Sequence, residues 1–88
     1  MLTRAFSGRP GRSIATEYAL AATSPDAPTP APYPIQRALT ATMREAAQKS
    51  GDISRMQAWA GQSARLARAE PAGDVVRRLW TEGRRLLA

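Results

Sequence analysis

Neither cysteine nor histidine occurs in the 88 residues. Their absence removes disulfides, thiolate nucleophiles, imidazole bases and the usual zinc ligands together. No catalytic residue and no metal site are therefore expected. A chain without cysteine is compatible with the reducing cytosol, and a cytoplasmic location is expected. No run approaches the ~20 apolar residues of a membrane span, so no membrane partner is expected. Acidic side chains are scarce: seven stand against twelve Arg and one Lys, for a net charge of +6. Aromatics are scarcer still, with two Trp, two Tyr and one Phe.

A basic balance suits nucleic acid or an anionic surface. Here the arginines are spread along the chain, with no block of five like charges. No aromatic is interleaved with a basic run as a base-stacking surface requires. A solvated basic surface is the simpler account, and nucleic acid is not expected as a partner. The length allows one small domain, burying roughly 60–65% of its unfolded surface and so marginal alone.

Residues 1–13 form an Arg-rich segment free of acids. Gly8, Pro10 and Gly11 preclude a regular helix there, so a basic loop is expected. Ile14 to Thr23 suits a short helix with Ile14, Tyr18 and Ala21 or Ala22 on one face. Residues 24–34 hold Pro25, Pro28, Pro30, Pro32 and Pro34, which predicts an extended polyproline-like linker. Tyr33, between two prolines, is presented in a defined direction at little entropic cost.

The remainder, 35–88, reads as the helical part. Ile35, Leu39, Met43 and Ala46 or Ala47 make an apolar stripe, predicting a helix over about 35–49. Gly51 suits the position past its end. Asp52 is a good cap for a next helix carrying Ile53, Met56 and Ala60, with Gly61 as a defect in it or a break after it. Pro71 and Gly73 interrupt the chain. A last helix over about 74–87 follows, with Val76, Leu79 or Trp80, Gly83 and Leu86 or Leu87 as its stripe and arginines opposite. The expected fold class is mainly α: three to four short amphipathic helices joined by a Pro-rich extended strap.

Five stretches taken together resemble one family. They are Thr3-Arg4-Ala5-Phe6-Ser7-Gly8-Arg9-Pro10-Gly11-Arg12, Pro32-Tyr33-Pro34, Gly51-Asp52, Trp59-Ala60-Gly61-Gln62 and Glu70-Pro71-Ala72-Gly73. In this order and spacing they look like the C-terminal region of nitronate monooxygenases, the 2-nitropropane dioxygenase family. Gly11 departs from the alanine expected after Gly-Arg-Pro.

The resemblance implies a C-terminal segment of an FMN-dependent TIM-barrel flavoenzyme, present without its barrel. Such enzymes oxidise alkyl nitronates with dioxygen, releasing a carbonyl compound and nitrite. The partner implied is the missing N-terminal barrel portion, which carries the flavin-phosphate loops and the catalytic histidine. This chain alone would be inactive, and FMN would bind only in the full-length context. Within it, the resemblance points to Gly61 and Gln62 at the cofactor and to Tyr33 and Trp59 at the substrate pocket. For Trp59 an ordinary core aromatic stays open as an alternative, and for Gln62 a capping amide. Two other readings of the whole chain also stay open: a small basic helical binding protein, and the product of a truncated gene.

Overall fold

Ala5 and Phe6 are the point on which the described chain closes. The computed structural model describes residues 1–87. Two short strands, β1 (Leu2–Thr3) and β2 (Gly11–Arg12), pair antiparallel, with Leu2 opposite Arg12 and Thr3 opposite Gly11. The expected basic loop is thus the tip of a small hairpin. Between the strands the backbone folds back on itself, the Gly8 amide donating to the Arg4 carbonyl at 2.9 Å. Phe6 is fully buried and packs on Tyr18, with ring centroids 5.2 Å apart, and edge-on to Trp59 at 5.7 Å. Ala5, Ala19 and Ala47 complete the core.

A loop buried without a strand partner leaves backbone carbonyls to be satisfied. Three side chains from three elements do this. Tyr18 Oη donates to the Ala5 carbonyl at 3.2 Å, Gln36 Nε2 donates to the same oxygen at 2.8 Å, and Thr40 Oγ1 donates to the Phe6 carbonyl at 2.7 Å. Burial holds the Tyr18 phenol above its ordinary pKa.

Four α-helices follow the hairpin, and no barrel is present among the described residues. Helix α1 (Glu17–Ala22) is capped by Thr16, whose Oγ1 accepts from the Ala19 amide at 3.3 Å. It starts later than the sequence predicts, because Ile14 is taken up in backbone pairing with Ala58. The Pro-rich segment is extended only over 28–32; Ser24 to Ala27 turns first, with the Ala27 amide donating to the Ser24 carbonyl.

The helix expected over 35–49 is two helices, α2 (Ile35–Leu39) and α3 (Ala41–Ser50), meeting at Thr40. Only part of the expected stripe faces inward. Ile35 and Leu39 are exposed, while Gln36, Thr40, Met43 and Ala47 turn inward. The inward face carries polar groups because it must supply donors to Ala5 and Phe6. Gly51, at φ 69°, ends α3 as predicted.

The helix expected from Asp52 does not form. Asp52 Oδ1 accepts from the Ser54 amide at 3.0 Å and starts a turn, but the chain leaves it at once. Gln57 Oε1 accepts from Arg44 at 3.2 Å, and residues 58–60 pair with the hairpin instead. A 3-10 turn at Ala64–Leu66 and the long helix α4 (Ala72–Leu87) complete the order. Arg78, which contacts Glu70 at 2.8 Å, anchors α4 to the segment before it.

Candidate functional site

The segment Trp59-Ala60-Gly61-Gln62 is held as an added edge on the hairpin. Ser13 and Trp59 form an antiparallel bridge. The Ile14 amide donates to the Ala58 carbonyl at 2.9 Å, and the Ala60 amide donates to the Arg12 carbonyl at 3.1 Å. Ser13 Oγ also reaches the Ala58 carbonyl at 3.3 Å. Three positions, Ala58 to Ala60, are thereby registered against Arg12, Ser13 and Ile14 from the other end of the sequence.

Glycine at position 11 permits this. A Cβ there would lie 2.7 Å from the Trp59 ring, so the indole lies flat against bare backbone. Trp59 is held on one side by Gly11 and on the other by Phe6, and is still 45% exposed. It packs as a core aromatic against Phe6 and Gly11 and leaves the rest of its surface open.

Beyond Trp59 the backbone opens into a shallow groove of about 210 Å³, lined by Arg12, Ser13, Ile14, Gly61 and Gln62 among others. A Cβ on Gly61 would meet nothing within 4 Å, so a planar group has room to approach its backbone. Gln62 is exposed, and its amide makes no side-chain hydrogen bond among the described residues. The capping role weighed for it has no counterpart in those contacts. Gly61 and Gln62 therefore line one groove with Arg12, and Trp59 is not part of that lining.

Tyr33 is placed elsewhere, against the hairpin tip. The Arg9 guanidinium stacks 3.9 Å above its ring. Beneath it Gly8, at φ 89°, meets the strap so closely that a Cβ would lie 2.5 Å from the Tyr33 nitrogen and the Ala31 oxygen. Tyr33 does not line the Gly61 groove, and the chain by itself does not bring the two pairs of site residues into one pocket. Sequence reading missed the partnership of Arg12 with Gly61 and Gln62. Its only signal was Gly11, next to an arginine and opposite no obvious partner.

A further depression, about 380 Å³, lies between β1 and the Pro-rich strap. It is lined by Thr3, Thr23 and several prolines, with Arg4 its one charged group. No cluster of three or more His, Cys, Asp or Glu side chains able to hold a metal occurs among the described residues.

The groove is open to a small planar group: it offers an amide with donor and acceptor and a glycine that leaves space. It does not enclose one, since closed ligand pockets run to about 300 Å³ or more. Known proteins resemble the chain along most of its length. A family model described as nitronate monooxygenase matches residues 1–82. Nitronate monooxygenase from Paraburkholderia phytofirmans is 39% identical over 80 residues, covering 91% of this chain and 22% of that protein. A probable nitronate monooxygenase from Staphylococcus aureus is 37% identical over 76 residues, or 86% of this chain and 21% of the relative. The crystal structure of a nitroalkane oxidase from Streptomyces ansochromogenes superposes with a TM-score of 0.70 at 47% identity, covering 92% of this chain and 22% of that one. The chain thus spans about a fifth of the length of the relatives it matches, and it belongs to the nitronate monooxygenase family.

Proposed function

We propose that this chain is the C-terminal portion of an FMN-dependent nitronate monooxygenase and turns over only when joined to the portion it does not contain. Residues 1–13 are read as the loop that seats on the missing TIM-barrel part, 24–34 as the linker, and 35–88 as the helical part. The observation that carries this reading is a family match along nearly the whole chain against relatives about four times as long. A second supports it: outside α4 nine large hydrophobic side chains are exposed among the described residues, while Phe6 alone of the large ones is fully buried. An unfinished surface of that kind suits a segment that completes another core.

In this reading FMN, when bound, supplies the electron acceptor for oxidation of an alkyl nitronate by dioxygen. This chain's residues bind and orient. Gln62 offers its amide to the ring edge, Gly61 lets backbone come close, and Trp59 turns its open surface to the substrate pocket. Tyr33, held by Arg9, faces the substrate side once the barrel closes over the hairpin. With no histidine in the chain, the base comes from the rest of the enzyme. A cytoplasmic location accompanies this reading.

A chimera tests it. The C-terminal fifth of the Streptomyces nitroalkane oxidase is replaced by these 88 residues and compared with the same body lacking any tail. The chimera is expected to retain flavin and oxidise nitronate, and Gln62→Ala to weaken flavin binding by about 1–3 kcal/mol. A folded chimera that holds flavin no better than the tailless body sinks the proposal.

A further inference from the structure

Helix α4 is the part of the molecule that the preceding reading leaves unexplained. It is 16 residues long and none of its residues is buried. At 3.6 residues per turn it spans about 24 Å, and its side chains sort completely by angle. Ala72, Val75, Val76, Leu79, Trp80, Gly83, Leu86 and Leu87 fall within an arc of roughly 140°, with no polar residue inside it. Trp80 is 67% exposed and Leu87 90%. Arg77 and Arg84 border the arc on one side, and Arg78 and Arg85 lie beyond Glu82 on the other.

We propose that α4 is a membrane-surface helix that lies along an anionic phospholipid bilayer, with its apolar arc among the upper acyl chains and its arginines on the lipid phosphates. Three observations point to a lipid surface. First, Arg84 and Arg77 follow the apolar arc on its Trp80 side, where their stems can run along it while the guanidinium groups reach outward; Glu82 borders the other side. Second, Asp74 pairs with Arg77 at 2.7 Å and Glu70 with Arg78 at 2.8 Å, and the last turn carries Arg84 and Arg85 with no acid. Third, Trp80 stands at the border of the arc with the Arg84 guanidinium 5.7 Å from its ring, an aromatic beside a cation at the depth of the headgroups.

The last turn, with Arg84, Arg85, Leu86 and Leu87, also lies beyond residue 82, where the family match ends. No helix of the described residues is long and apolar enough to cross a membrane. A helix lying in the surface needs no such length, so the expectation of no membrane partner, drawn from run length, does not reach it. The proposal goes beyond the flavoenzyme reading and stands whether or not flavin binds.

The test uses the whole 88-residue chain and sucrose-loaded vesicles, either pure phosphatidylcholine or phosphatidylcholine with phosphatidylglycerol. Sedimentation with the anionic vesicles is expected, with little on neutral ones and a loss in about 0.5 M salt. In a Trp59→Phe background, Trp80 emission is expected to shift to the blue on binding. Arg84→Glu with Arg85→Glu is expected to lower partitioning at least about tenfold, since each basic residue near an anionic surface contributes strongly. Leu79→Ala keeps helix propensity and is expected to weaken binding with the circular dichroism unchanged. Equal binding to neutral vesicles, or indifference to the double charge reversal, overturns the proposal. So does a concentration-dependent dimer that leaves the vesicles empty, which would assign the face to a second copy of the chain.

Discussion

Gly8 is the residue the closed hairpin least tolerates changing. Its φ of 89° suits glycine, and a Cβ would overlap the backbone of Ala31 and Tyr33. Neither neighbour is a flexible side chain that can swing aside. Gly8→Ala is expected to destabilise the chain by more than about 2 kcal/mol, combining a strained backbone with a displaced strap. A lowered urea midpoint would show it, and an unchanged one would mean that the strap lies farther from the hairpin. Gly11 is constrained differently, by a side chain and not by φ: an added methyl meets the Trp59 ring, which can shift. The ten-residue family stretch around Gly8 is legible in sequence as a loop. The close approach of residues 31–33 was not legible, because nothing local records which distant backbone passes over a glycine.

At the scale of elements, the turn after α3 decides where the site segment goes. The Asp52 carboxyl is held below the usual carboxylate range, first by the Ser54 hydroxyl at 2.6 Å and then by Arg55. A depressed folded-state pKa contributes stability above the ordinary carboxylate value, and that contribution is lost as pH falls through the folded value. The turn is therefore expected to hold at neutral pH and loosen in acid, below about pH 4. The protection factor of the Ser54 amide measures it, falling in acid in the native chain and already low at neutral pH in Asp52→Ala. A Ser54 amide equally slow in both would remove the carboxylate from the account.

Asp52 reads in sequence as a helix cap, and it does start a turn. The helix fails because Gln57 is engaged by Arg44 and residues 58–60 are engaged by the hairpin. Those tertiary hydrogen bonds outweigh a propensity difference of a few tenths of a kcal/mol per residue. The same contest splits α2 from α3 at Thr40, whose hydroxyl is drawn to the Phe6 carbonyl.

At the scale of the whole molecule, the chain is elongated, 51 by 27 by 21 Å, around a core of one phenylalanine and a few alanines. Core and surface are out of proportion for a self-sufficient domain of this size. The isolated chain is expected to bind the dye ANS and to melt over a broad range. In the chimera with a relative's body, the dye binding attributable to these residues is expected to fall. A sharp, cooperative melt of the 88 residues alone, with no dye bound, would show that the exposed side chains need no cover.

By itself the sequence determined the family, the mainly helical class, the glycine stop after α3 and the two-faced character of α4. Each of these depends on residues close together in the chain: a motif order, a 3.6-residue period, a glycine at the one position that requires positive φ. Only the tertiary structure decided that Gln36 and Thr40 turn inward while Ile35 and Leu39 stay exposed, that residues 58–60 form an edge on the hairpin, and that Arg12 lines one groove with Gly61 and Gln62. Those outcomes follow from buried carbonyls at Ala5 and Phe6 and from backbone pairing across more than forty residues. Hydrogen-bond demand of that kind belongs to the folded arrangement and leaves no periodic trace in the chain.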